Sequence, residues 1–205
     1  MAVKSRKEQH SEATRNALLK VARRLFAERG YADTGIEDVA RRARVTRGAL
    51  YHHFRDKQAL FAAVFEDEER KLAQSLVAAA SAEPDAWRRM VRGCAAFLDA
   101  CLNPAVQRIV LIDAPAVLGW ERWRKVETEY NLRLIHDGLQ ACIDEGSIEP
   151  QPVLALAHML LGAFNEGAMM IAHADDEAAA KREVEESVRR LFSALKAAAR
   201  PDPGP

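Results

Sequence analysis

Cysteine, long apolar runs and catalytic motifs are what this chain has least of, and each shortage removes a class of function. Three cysteines in 205 residues, Cys94, Cys101 and Cys142, are an odd number without CxxC spacing. No secretory leader is recognised, so they read as reduced thiols and a cytoplasmic location is expected. Cys94 and Cys101 lie two turns apart on one helix face, where buried core thiols are the expected reading. No apolar run comes near the roughly 20 residues of a membrane span. The stretch VLALAHMLLGAF is short and interrupted by His158, so no membrane partner is expected. Glycine-rich phosphate loops, GxSxG, HExxH and any paired nucleophile and base at recognised spacing are missing, so neither an enzyme nor a cofactor is expected. His52 and His53 do not make a metal pair, because adjacent helix residues point roughly 100° apart and no third Cys or His stands at ligand spacing. Strand-like alternation, internal repeats and Gly/Ser-rich linkers are also missing, which leaves an all-α chain of about nine helices.

What is present is an ordinary globular composition, 49% hydrophobic and 29% charged, on a chain long enough for a sizeable core. Charge is not spread evenly. Residues 1–60 hold 14 Lys/Arg against 7 Asp/Glu, a balance of +7, and residues 61–205 hold 16 against 23, a balance of −7. A basic head on an acidic body is expected to meet a polyanion with the head alone.

The basic part contains the most organised stretch, VARRARVTRGALYHHFRDKQALF, residues 39–61. It reads as a short helix, a tight turn, a second short helix and the capped start of a third. Thr34 and Glu37 stand three apart before Ile36, Val39 and Ala40, the spacing of a capping box. Thr46 is placed to cap the second short helix, about Arg47 to Phe54, in which Leu50 and Phe54 face inward. Asp56 caps the long helix that begins at Lys57. A short helix with small residues at its start and aromatic, His and Lys groups around it suits a major groove better than a core. The run LFAERGYADTGIEDVARRARVTRGALYHHFRDKQALF resembles the N-terminal helix-turn-helix domain of TetR-family transcriptional regulators. The resemblance covers roughly residues 14–65 and rests on Phe26, Gly30, Thr34, Ile36, Ala40, Val45, Gly48, Tyr51, Phe54, Lys57 and Leu60. One position departs: Arg44 stands where the family usually has Gly at the end of the first motif helix. A left-handed residue is expected there, costing about 1 kcal/mol or more for a side chain.

The resemblance implies that the second short helix enters the major groove of double-stranded operator DNA. Tyr51 and Lys57 would then hold phosphates, Thr34 and Thr46 would add helix-start phosphate contacts, and Arg44 would place a positive charge beside the DNA. Arg47, Gly48, Ala49 and His52 would approach base edges, although Arg47 equally suits a phosphate.

Four segments are expected: a flexible basic arm over 1–10, a helix-turn-helix DNA-binding domain over 11–56 (motif about 34–54), a ligand-binding and dimerisation domain over 57–199, and a disordered tail over 200–205. In the first, Lys4, Arg6 and Lys7 either touch DNA or form a solvated terminus. Pro84 and then Asn103-Pro104 mark later helix starts, Pro115 is expected to stop a helix, and one helix is expected from about Leu118 to Glu145. Residues 152–173 are apolar almost all round, which calls for burial on several sides. Val184, Val188, Leu191 and Leu195 form a stripe on the last helix, and the final two helices are expected to pair with a second copy as a four-helix bundle. By the family resemblance, the C-terminal helices enclose a small-molecule cavity. Trp87, Phe97, Asp113, Trp120, Trp123, Tyr130, Asn165 and Met169 are its candidate lining, with core packing as the competing role for each. Asp113 would favour a ligand with a hydrogen-bond donor or a cation. The function expected is a dimeric regulator, a repressor released from a palindromic operator by a small hydrophobic or aromatic effector. The alternative is an effector-independent DNA-binding or protein-interaction module whose second domain only dimerises.

Overall fold

Every regular element that the computed structural model describes, over residues 5–196, is helical, apart from one isolated bridge between Ile148 and Lys196. The elements are α1 (Arg6–Arg29), α2 (Ile36–Arg42), α3 (Arg47–His53), α4 (Lys57–Ala80), α5 (Ala86–Ala100), a π-helical segment Val106–Asp113, α6 (Ala114–Leu118), α7 (Trp120–Glu127), a second π segment Thr128–Leu132, α8 (Arg133–Asp144), α9 (Val153–Ala172) and α10 (Glu177–Leu195). Because the π segments run on into their neighbours, these form nine continuous helical runs among the described residues. The all-α architecture read from the sequence is therefore the one observed. The chain divides into two compact units, one taking in the residues through Glu68 together with Pro104–Arg124, the other Glu69–Asn103 and the chain from Lys125 onward.

The first unit is built on α1. Leu18, Ala22, Leu25 and Phe26 recur at helical spacing and are fully buried. Phe61 of α4 meets Phe26 edge-on at 5.1 Å and Tyr31 at 5.2 Å. From Ser5 onward the expected basic arm is instead the cap and start of this helix: Ser5 and Glu8 form a capping box, so Arg6 and Lys7 are helical. Lys4 and the expected tail lie outside the described residues. Gly30 ends α1 at φ 76, a conformation that favours glycine, and the guanidinium of Arg108 lies where a Cβ would stand.

Pro115 does not stop its helix. It sits in the first turn of α6, which follows directly on the π segment, and the break comes at Gly119, φ 75. In the second unit, Asp85 rather than Pro84 marks the start of α5, accepting from the Arg88 N–H at 2.7 Å. α5, α8, α9 and α10 pack together around Met90, Phe97, Leu139, Leu161, Phe164 and Phe192. Gly167 lets α9 approach Val184 of α10 closely. α9 also corrects the expectation on apolar runs. With 20 residues and a mean hydropathy of 1.4 it is long and apolar enough to cross a membrane, and His158 does not interrupt it. One face, with Ala157, Leu161, Phe164, Ala168 and Ile171, is buried in the core of this unit. Leu154, Met159 and Met170 are exposed, so the all-round burial expected of it is not met within one chain. On α10 the inward residues are Val184 and Phe192, while Leu191 is 49% exposed.

Candidate nucleic-acid interface and cavity

α2, the turn and α3 are held from within. Arg44 has φ 56, the left-handed conformation expected. The Val45 N–H bonds to the Ala40 carbonyl and the Arg44 N–H to that of Arg41, which closes α2 with a Schellman motif. Thr46 then caps α3, its hydroxyl accepting from the Ala49 N–H at 3.2 Å. Leu50 and Phe54 are buried, and this leaves the rest of α3 facing outward. Arg44, Thr46, Arg47, Gly48, Tyr51 and His52 are exposed, Ala49 partly so. Arg47 pairs with Glu37 at 2.9 Å, both well exposed, and its guanidinium lies 5.6 Å from the Tyr51 ring centre. Such a surface pair contributes little and is readily exchanged. His53 is less exposed, and burial, His52 and Arg15 all lower its pKa.

Thr34 and Lys57, two residues of the expected contact set, have partners within the protein. Thr34 is buried at 1% exposure, and its hydroxyl is shared between the carbonyls of Leu25 and Gly30 at 3.1 and 2.8 Å. It neither caps α2, which starts from Gly35 without a side-chain cap, nor presents its hydroxyl to a phosphate. Lys57 donates to the Ala32 carbonyl at 3.0 Å and lies 4.3 Å from the Tyr31 ring centre, and burial pulls its ammonium pKa down. Arg29, Arg41 and Arg42 gather around Asp38. Among the described residues no group of three His, Cys, Asp or Glu could hold a metal ion.

A cavity of about 360 Å³ lies in the second unit, walled by the last turns of α4 (Leu76, Val77), by α5 (Met90, Phe97) and by α8 and α9. Of the expected lining residues it takes Phe97. Trp87 packs instead on Phe192 at 5.7 Å. Asp113, Trp120 and Trp123 belong to the first unit. Asp113 accepts from the Tyr31 N–H at 2.7 Å and from Arg108 at 3.3 Å, so its carboxylate is already partnered and ties the π segment to the end of α1. Trp120 is 67% exposed and leans on Trp123 at 5.2 Å. Tyr130, Asn165 and Met169 share the cavity's unit but not its wall. Asn165 donates to Glu127 at 2.8 Å.

Sequence reasoning missed a buried polar cluster of Glu69, Glu127 and Asn131. The Asn131 amide donates to Glu69 at 2.7 Å, and Asn131 also forms part of the cavity wall. Burial and the neighbouring Glu127 push the Glu69 carboxyl up to about 8. A signal was available: Glu69 falls four residues after Phe65 and three before Leu72, on the apolar face of α4. The three cysteines are buried and free, and burial pushes their thiols up to between about 11 and about 12, far from the reactive thiolate range.

Comparison with known proteins gives two matched signatures. The signature described as "Bacterial regulatory proteins, tetR family" matches residues 18–64, and "Tetracyclin repressor-like, C-terminal domain" matches residues 87–195. A crystal structure of a TetR-family transcriptional regulator from Pectobacterium atrosepticum superposes with a TM-score of 0.83 at 36% identity, covering 96% of this chain and 100% of that one. The TetC protein of transposon Tn10 from Escherichia coli is 24% identical over 164 residues, 80% of this chain and 83% of that protein. The HTH-type transcriptional regulator AcrR of Shigella flexneri is 41% identical, but over 66 residues, 32% of this chain and 31% of that protein.

Proposed function

Because the chain belongs to the tetR family of transcriptional regulators, and is on that ground a DNA-binding regulator, we propose that it is a dimeric repressor released from a palindromic operator by a small apolar effector. α3 is the reading helix, with Arg47, Gly48, Ala49 and His52 toward base edges and Arg44, Thr46, Tyr51 and Lys57 toward phosphates. The observation that carries this reading is the outward face of α3, polar and exposed while Leu50 and Phe54 anchor it. α9 and α10 form the dimer interface, and the protein works in the cytoplasm. The named likenesses to a repressor and to transcriptional regulators support the reading.

The effector occupies the apolar cavity of the second unit. Release follows if it binds the DNA-incompetent arrangement more tightly than the competent one, and only that difference in affinity can shift the population. The chain offers two covalent routes from cavity to head. α4 begins at Lys57 and ends in the cavity wall, and the chain leaving α5 enters the π segment whose Asp113 holds the Tyr31 N–H. The test is fluorescence anisotropy of a labelled operator, titrated with protein and then with apolar candidates. Release by a compound that also raises the melting temperature supports the reading. Ligands that stabilise the protein without changing operator affinity would leave the second unit a dimerisation domain alone.

A further inference from the structure

We propose that the ligand of this cavity is a small apolar molecule carrying a hydrogen-bond donor, hydroxyl or amino, which pairs with the side-chain oxygen of Asn131. The inference rests on the reading of the cavity as the effector site and names the chemistry that site selects. Four polar side chains stand among the apolar wall, and three already have partners. Arg89 is bound by Glu145 at 3.0 Å and by the carbonyls of Glu83 and Pro84. Ser81 donates to the Ala78 carbonyl at 2.8 Å. Asp137 is 64% exposed and faces His136 and Arg133. Asn131 differs from all three. It is 7% exposed, its amide nitrogen donates to Glu69 at 2.7 Å, and its oxygen has no partner and is shut off from solvent.

A buried acceptor without a donor is an unfavourable state that a ligand O–H or N–H relieves. Glu69 acts as the positioning residue: by accepting from the amide nitrogen it fixes which end of the Asn131 side chain stays unpaired. The second oxygen of Glu69 is also without a partner. An anionic ligand is disfavoured, since Arg89, the cation of the wall, is already held by Glu145. The apolar remainder of the cavity, with Leu76, Met90, Phe97, Leu161 and Phe164, takes the hydrocarbon body.

Calorimetric titration of the full-length protein with 4-tert-butylphenol, 4-tert-butylbenzylamine and 4-tert-butylanisole tests this, the ether being the phenol with its donor capped. The phenol or the amine should bind about tenfold more tightly than the ether, and whichever arm wins separates hydroxyl from amino recognition. In Asn131→Leu the three should converge. The Asn131 side-chain carbonyl carbon gives a second readout in the unaltered protein: its resonance should move with the favoured donor and stay put with the ether. Glu69→Gln, which keeps an acceptor for the Asn131 amide, should retain the preference for the phenol over the ether. Equal binding of ether and donors, a preference that survives Asn131→Leu, or one lost in Glu69→Gln while Asn131 keeps its environment, overturns the inference and leaves the cavity reading standing. If none of the three binds, the cavity reading fails and the inference fails with it.

Discussion

A hydroxyl that is 1% exposed and shared between the carbonyls of Leu25 and Gly30 is a structural group, and Thr34 should behave as one. Thr34→Val keeps the shape and removes the donor, so it should lower stability by about 1 kcal/mol in thermal melts while operator affinity of the folded protein stays the same. A loss of affinity at constant stability would return Thr34 to the DNA contacts. Glu69 is a second residue whose role is set by burial. Its carboxyl titrates at about 8 when folded against an ordinary 4.5, so the native state binds the extra proton between those values. Its contribution is fully present below about pH 4.5 and is lost as pH rises through about 8. Melting temperature followed from pH 5 to pH 8.5 should therefore fall less steeply in Glu69→Gln than in the unaltered protein; parallel curves would mean Glu69 is ionised when folded. At this scale the sequence was legible where chemistry is local. The left-handed Arg44 and the caps at Thr46 and Asp56 follow from neighbouring residues and are observed. Thr34 was misplaced because the turn at its side rotates its hydroxyl inward, and Asp113 because its partner, the Tyr31 N–H, lies 82 residues away.

Helices were legible as elements, but their register was not. From Trp120 to Asp144 the periodic pattern reads as one α-helix, whereas a π turn at Thr128–Leu132 interrupts it. A π turn takes more residues per turn than an α turn, so spacing counted from Trp120 or Trp123 no longer tells which way Tyr130 and later residues face. Of the aromatic residues offered for the cavity by the family resemblance, only Phe97 stands in its wall. The same limit applies to α10, where Phe192 points inward and Leu191 outward although the stripe read along the helix contains Leu191. Leu191, Leu154, Met159 and Met170 then leave both α9 and α10 with large exposed apolar side chains. If these helices form the dimer interface, Leu191→Glu places a charge where a partner would bury it but where a single chain tolerates it. Sedimentation should show folded monomers that no longer bind the operator tightly; a variant that remains dimeric would move the interface elsewhere.

Across the whole molecule the charge balances are +7 over residues 1–60 and −7 over residues 61–205, which is why the head is proposed to meet the DNA. Operator affinity should fall steeply with salt, by a slope of about −0.9 in log K per neutralised phosphate. Two matched signatures make the molecule a DNA-binding regulator of the tetR family, with α3 as the proposed reading helix. Gly48 provides the most direct test, because it is exposed on α3 and a side chain added there meets nothing within 4 Å. Gly48→Glu should leave the fold and melting temperature unchanged while setting a carboxylate against the DNA. The decisive measurement is recovery of genomic DNA fragments by the purified protein, followed by footprinting of the fragments with and without this substitution. The expected result is a shared two-fold symmetric sequence, protected by the unaltered protein and abandoned by Gly48→Glu. Retained fragments with no common sequence, or the same footprint from folded Gly48→Glu, would contradict it.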